Sequence, residues 1–99
     1  MIEFKQRVRN LIFKDIGIPA DEVEIRELNE IFEKCVKNLS PLYMRVFCVA
    51  WEARDGTTYR DLADGFIVIE KKLITEDTIK KRIERAIKEL LECIRKNYF

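Results

Sequence analysis

The chain has no histidine, and only three glycines, two prolines and three cysteines among its 99 residues. Lacking histidine, it lacks the commonest general base and the commonest zinc ligand, so histidine-assisted nucleophiles and mixed Cys/His zinc sites are excluded. Cys35, Cys48 and Cys93 are odd in number and widely spaced, each inside an apolar helical pattern. They read as reduced core residues, since a free cysteine packs as a small hydrophobe. No apolar run approaches the roughly 20 residues of a membrane span. The opening "MIEFKQRVRN" is charged from its third residue and has no apolar stretch of the signal-peptide kind. The expected location is the cytoplasm, with no membrane partner. Sparse glycine and proline, with no low-complexity tract or repeat, leave a folded chain of one domain, residues 1–99.

What is present is charge and apolar surface in alternation. Charged residues make up 37% of the chain and hydrophobic ones 47%, with a net charge of only +1. The balance is local, not uniform. Residues 1–14 sum to +3, residues 15–33 to −6, residues 34–70 to zero and residues 71–99 to +4. A polyanion would therefore meet the C-terminal third and be repelled by the second segment.

Apolar spacing predicts helices throughout. Val8, Leu11 and Ile12 mark a first helix, ended by Gly17 and Pro19. A second starts near Asp21 as N-cap, with Glu22 and Glu24 in its first turn, and carries Leu28, Ile31, Phe32, Cys35, Val36 and Leu39. Ser40 followed by Pro41 is a start signal for a third, the most apolar element. Asp55-Gly56 forms a turn, and Thr57 or Thr58 caps a short helix through Ala63. Thr75 caps a long last helix whose Ile79, Ile83, Ala86, Ile87, Leu90, Leu91 and Ile94 share one side. The stretch "DGFIVIEKKLIT" is open to two conformations. Phe66 to Ile69 could pair with Leu73-Ile74 as a small β-hairpin, or Tyr59, Leu62, Phe66, Ile69 and Leu73 could continue the preceding helix. Because an interior glycine costs a helix ~1 kcal/mol, a break at Gly65 is preferred. The fold class is all-α, with N-terminal helices over residues 1–38 and a C-terminal helix-turn-helix part over 39–99.

On the last helix, Thr78, Lys81, Arg82, Arg85 and Lys88 lie opposite the apolar stripe. One face can pack while the other follows a phosphate backbone, and short residues from Thr75 to Thr78 let that end approach base edges in a major groove. The plain alternative is a solvated face. Asp77–Lys81, Glu84–Lys88, Arg85–Glu89 and Glu92–Lys96 are all i,i+4 pairs that favour the helix for its own sake.

Residues 39 to about 95 resemble the C-terminal, promoter-reading region four of bacterial sigma factors. The resemblance is carried by Leu39, Pro41, Arg45, Val46 and Phe47; by Gly56, Thr58, Tyr59, Leu62 and Ala63; and by Thr78, Ile79, Lys80, Arg85, Ala86 and Leu90. It implies a DNA-binding transcription regulator that inserts helix 76–96 in the major groove of double-stranded DNA. It places base reading on Glu76, Asp77, Thr78, Lys80 and Lys81, and phosphate contacts on Thr57 or Thr58, Arg82 and Arg85; Lys88 extends the cationic face. For Glu76 a first-turn carboxylate on the helix dipole is preferred. Two departures stand out: about six extra residues around "FIVIEKKL" separate the two helices, and 99 residues leave no room for a promoter-melting region, so a stand-alone regulator is expected. If the extra residues form a hairpin, Lys71 and Lys72 would add phosphate contacts.

The acidic Asp21, Glu22, Glu24, Glu27, Glu30 and Glu33 should face away from DNA, as a solvated face or as a contact for a basic protein surface, RNA polymerase by the resemblance. The rival to DNA binding is a protein-interaction module, a homodimer or a sigma-factor decoy, with Tyr59, Phe66, Ile69, Leu73, Tyr98 and Phe99 as its apolar interface. Asp61 and Asp64 stand i,i+3, but without a nucleophile, base or phosphate loop nearby they do not make an enzyme. No cofactor is expected.

Overall fold

Ile79, Ile83, Ala86, Ile87, Leu90 and Ile94 are all buried on one side of a single long helix, around which the rest of the chain is assembled. The computed structural model describes residues 2–14 and 25–98. Five helices cover them: α1 (Ile2–Lys14), α2 (Ile25–Lys37), α3 (Pro41–Glu52), α4 (Tyr59–Glu70) and α5 (Glu76–Tyr98). The 23 residues of α5 make a post about 35 Å long. α2, α3 and α4 pack most extensively on it, and α1 lies against α3 and α5. No strand occurs among the described residues, and none of their helices is long and apolar enough to cross a membrane. The N-cap expected at Asp21, with Glu22 and Glu24, lies outside the described residues.

From α1, Phe4, Val8 and Ile12 enter the core at steps of four. Phe4 meets Phe47 edge-on at 5.4 Å between ring centres, and Trp51 edge-on at 6.3 Å. Such pairs are each worth about 0.5–1.5 kcal/mol beyond their buried area, which fixes α1 on α3.

Helix starts follow the local chemistry, with one exception. Gly56 turns the chain at φ 85°, a left-handed conformation that glycine adopts without steric cost. Thr58 then forms a reciprocal cap on α4: Asp61 N–H donates to Thr58 Oγ1 at 3.2 Å, and Thr58 N–H donates to Asp61 Oδ2 at 2.9 Å. On α5, Thr78 N–H donates to Thr75 Oγ1 at 3.2 Å. The exception is Ser40. It stands at the N-cap of α3 but makes no side-chain cap there; its hydroxyl donates to Glu89 on α5 at 3.5 Å.

Two expectations are corrected. First, the hairpin and the break at Gly65 do not occur: α4 runs unbroken from Tyr59 to Glu70. Phe66 is 1% exposed while Val68 is 77% exposed, so the two do not share a face as strand neighbours would. Burial of Leu62, Ala63 and Phe66 against the core outweighs the ~1 kcal/mol glycine cost, and nothing crowds Gly65. The helix ends at Lys71, left-handed at φ 56°, whose N–H donates to the Ile67 carbonyl at 2.9 Å. Most of the extra residues are thus absorbed as added helix, leaving residues 71–75 as the connection to α5.

Second, the cysteines are not three reduced core residues. Cys35 on α2 and Cys93 on α5, separated by 58 positions, form a disulfide with Cα atoms 5.6 Å apart, inside the usual range for such a bridge. Cys48 is free and exposed. Lys34 Nζ donating to Asn97 Oδ1 at 3.2 Å lies beside the bridge. α2 is therefore fastened to the last turns of α5.

Candidate nucleic-acid interface

The starts of α4 and α5 lie side by side. Thr58 caps α4, and Lys80, one turn into α5, holds its ammonium 5.5 Å from the centre of the Tyr59 ring, a cation–π contact worth about 0.5–1 kcal/mol when exposed. Between the two starts is a groove of about 370 Å³, walled by Thr57, Thr58 and Tyr59 on one side and by Glu76 and Lys80 on the other, with Phe4 and Arg7 of α1 closing it. Three of the residues expected to meet DNA, Thr57, Thr58 and Lys80, therefore converge on one concavity. Its edge carries the exposed Lys80 and Glu76 and the N–H ends of two helices, where the helix dipoles favour anions.

A second group lies along the outer edge of α5. Asp77, Lys81, Arg85 and Lys88 are all exposed there, pointing away from the core stripe. Their steps of four, four and three keep them in one row, with Lys81 and Lys88 about 10 Å apart along the axis. Lys81 Nζ is 3.0 Å from Asp77 Oδ2, the i,i+4 pair expected from the sequence, with both side chains largely in water. Exposed pairs of this kind contribute little to stability, so Lys81 can exchange its carboxylate for another anion at low cost.

Arg82 and Thr78 belong to neither group. Arg82 turns toward the end of α4 and grips Glu70 with both arms, Nη1 to Oε2 at 2.6 Å and Nη2 to Oε1 at 3.3 Å. These hydrogen bonds hold the Glu70 carboxyl below its ordinary range against the opposing effect of desolvation, and the charges of Arg82, Lys72 and Arg45 add to them. Thr78 is half-buried, its hydroxyl hydrogen-bonded to that of Thr75 at 3.0 Å. The nine residues singled out for DNA are thus divided among a groove, an outer row, an interhelical clamp at Arg82 and, for Thr78, the cap of α5.

Arg7 was missed by the sequence reading. It is in a segment whose charge was noted only as a sum, and its place at the groove depends on how α1 packs. Its guanidinium forks onto Glu84 of α5, Nη2 to the two carboxylate oxygens at 2.6 and 2.8 Å. Glu84 is therefore engaged across helices, on Arg7, and not in the i,i+4 pair with Lys88 expected from the sequence. Asp61, once half of a carboxylate pair, is drawn into the α4 cap, and its hydrogen bonds from Thr58 lower its pKa. Among the described residues no group of His, Cys, Asp and Glu side chains could hold a metal ion. On α2, Glu27, Glu30 and Glu33 are exposed. Of the residues weighed as an apolar interface, Phe66 is in the core and Tyr59 lies half-buried beneath Lys80, while Ile69 and Leu73 stand in solvent; Phe99 and the side chain of Tyr98 lie outside the described residues.

Compared with protein-family models, curated proteins and solved structures, the chain matches none.

Proposed function

We propose that the protein is a DNA-binding transcription regulator of the kind that sigma-factor region four represents, with α4 and α5 acting as a helix-turn-helix. The observation that carries this reading is the shared groove at the starts of the two helices, where Thr57, Thr58 and Lys80 meet, continued along α5 by the exposed row Lys81, Arg85 and Lys88. A phosphate at the groove would meet the positive ends of two helix dipoles and the Lys80 ammonium. The outer row would follow the backbone while Asp77 and Lys81 face base edges; a carboxylate such as Asp77 can accept from a cytosine amino group. α2, with its exposed glutamates, is fastened at the far end of α5, and those acids are the surface for a basic partner, RNA polymerase by the resemblance.

The test is binding to random duplex DNA over a series of salt concentrations. Affinity should fall linearly with log salt, with a slope near −0.9 per phosphate neutralised. An Arg85→Ala/Lys88→Ala double variant should have a slope shallower by about 2. No binding at low salt by the folded protein would sink this reading and leave the protein-interaction module, which the exposed Ile69 and Leu73 favour.

A further inference from the structure

The described surface has one concentrated apolar projection. Val68, Ile69 and Leu73 are 77%, 54% and 83% exposed, and they sit together where α4 ends and the connection to α5 begins. Between them are Lys71 and Lys72, both exposed. Side chains of this size so far in water, and so close in the chain, mark an interaction site more than chance exposure does. The left-handed turn at Lys71 fixes the projection as a knob.

On another flank of the molecule is an apolar groove of about 270 Å³ between α2 and α3, floored by Phe32, Val36, Met44 and Trp51. Glu33 and Glu52 stand at its edges, with Lys37 as the one cation there. Neither helix closes it, because α2 and α3 each pack on α5 far more than on one another.

We propose that the chain associates with a second copy of itself, the lysine-flanked knob of one copy seating in the glutamate-flanked groove of the next. Apolar surface meets apolar surface, and Lys71 and Lys72 come to Glu33 and Glu52, so both the hydrophobic and the charge terms favour this occupant. The two patches lie on different flanks of α3. Met44 and Trp51 face the groove, whereas Arg45 is close enough to Glu70, beside the knob, for its charge to act on that carboxylate. The contact joins unlike patches, so it either closes reciprocally, each knob in the other copy's groove, or continues head-to-tail. It leaves the outer row of α5 uncovered and does not rest on the DNA reading.

The groove carries its own reporter, since the free Cys48 is in its lining. A Leu73→Cys variant under mild copper-catalysed air oxidation should form intermolecular disulfides, seen as dimers or longer ladders on a non-reducing gel, and a Leu73→Cys/Cys48→Ser variant should not. In sedimentation velocity the wild-type protein should rise above monomer mass with concentration. Leu73→Glu, an exposed substitution whose folding circular dichroism verifies, should weaken association at least about tenfold. Reversing Lys71 and Lys72 to Glu should weaken it too, and adding Glu33→Lys and Glu52→Lys should restore it. A wild-type monomer at every concentration overturns the proposal, as does association indifferent to Leu73→Glu, or cross-linking that survives loss of Cys48. A monomer whose knob instead carries it onto anionic lipid vesicles also overturns it and assigns the knob to a lipid surface.

Discussion

Arg82 and Glu70, twelve residues apart, form a forked ion pair of which only 12% and 13% of the side chains remain exposed. The pair bridges the end of α4 and the second turn of α5, across the connection that sets the angle between the two helices. A guanidinium so enclosed is engaged within the protein, whereas Lys81, Arg85 and Lys88 stand in water. Arg82 is accordingly a positioning residue for the outer row.

Arg82→Ala should destabilise the fold by about 2 kcal/mol, because it leaves the largely enclosed Glu70 carboxylate with only the longer, 3.8 Å pair to the exposed Lys72. A Glu70→Ala/Arg82→Ala variant should lose less than the sum of the single changes. Urea denaturation of the three variants measures this. In DNA binding, Arg82→Ala should leave the salt slope unchanged, whereas Arg85→Ala should reduce it by about 0.9.

Acid should weaken the fold through the same carboxylate. Glu70 titrates lower in the folded chain than its ordinary 4.5, and Asp61 lower than its ordinary 3.8. For each, the contribution is present above the ordinary value and is lost as pH falls through the lowered folded value, since the unfolded chain takes up the proton first. Melting temperatures followed from neutral pH down to about pH 3 should drop for the wild type, and less steeply for Glu70→Gln.

Breaking the Cys35–Cys93 bridge, which spans 58 positions, should cost about 2–4 kcal/mol. Denaturation with and without reductant should show the loss, and a Cys35→Ser/Cys93→Ser variant should show the same lower stability in both conditions. Hydrogen exchange should quicken most in α2, the helix that the bridge fastens. A reductant-insensitive wild type would mean that packing alone holds α2 on α5.

Lys71→Gly should raise stability by about 0.5–1 kcal/mol, because glycine takes the left-handed conformation at φ 56° without the steric cost of a side chain. Thermal melts at low protein concentration are the measurement. A loss of stability would show that the lysine side chain stabilises the turn by more than its strain.

What could be read from the sequence was local. Thr57 or Thr58 as a cap, Thr75, Gly56 and the repeating apolar positions of α5 each act within about one turn of chain. Those signals gave the starts of α4 and α5, the turn before α4 and the face that α5 buries. The same reasoning failed where a local preference met a distant one. Gly65 favoured a break, but Phe66 gained more from the core as part of a continuous helix. Ser40 marked the start of α3, yet its hydroxyl turned to Glu89. A helical wheel placed Arg82 among the cations because its angle is near theirs; the position of Glu70 turned it inward.

By itself, then, the sequence determined an all-helical chain, with a buried stripe and a cationic outer edge on its last helix. These depend on backbone periodicity and capping, which neighbouring residues specify. Only the tertiary structure decided that Cys35 meets Cys93, that Arg7 closes the groove beside Lys80, that Arg82 clamps α4 to α5, and that Leu73 stands in solvent. Each of these depends on how helices far apart in sequence pack together, and side chains meet there only after the shared core has set the angles between them.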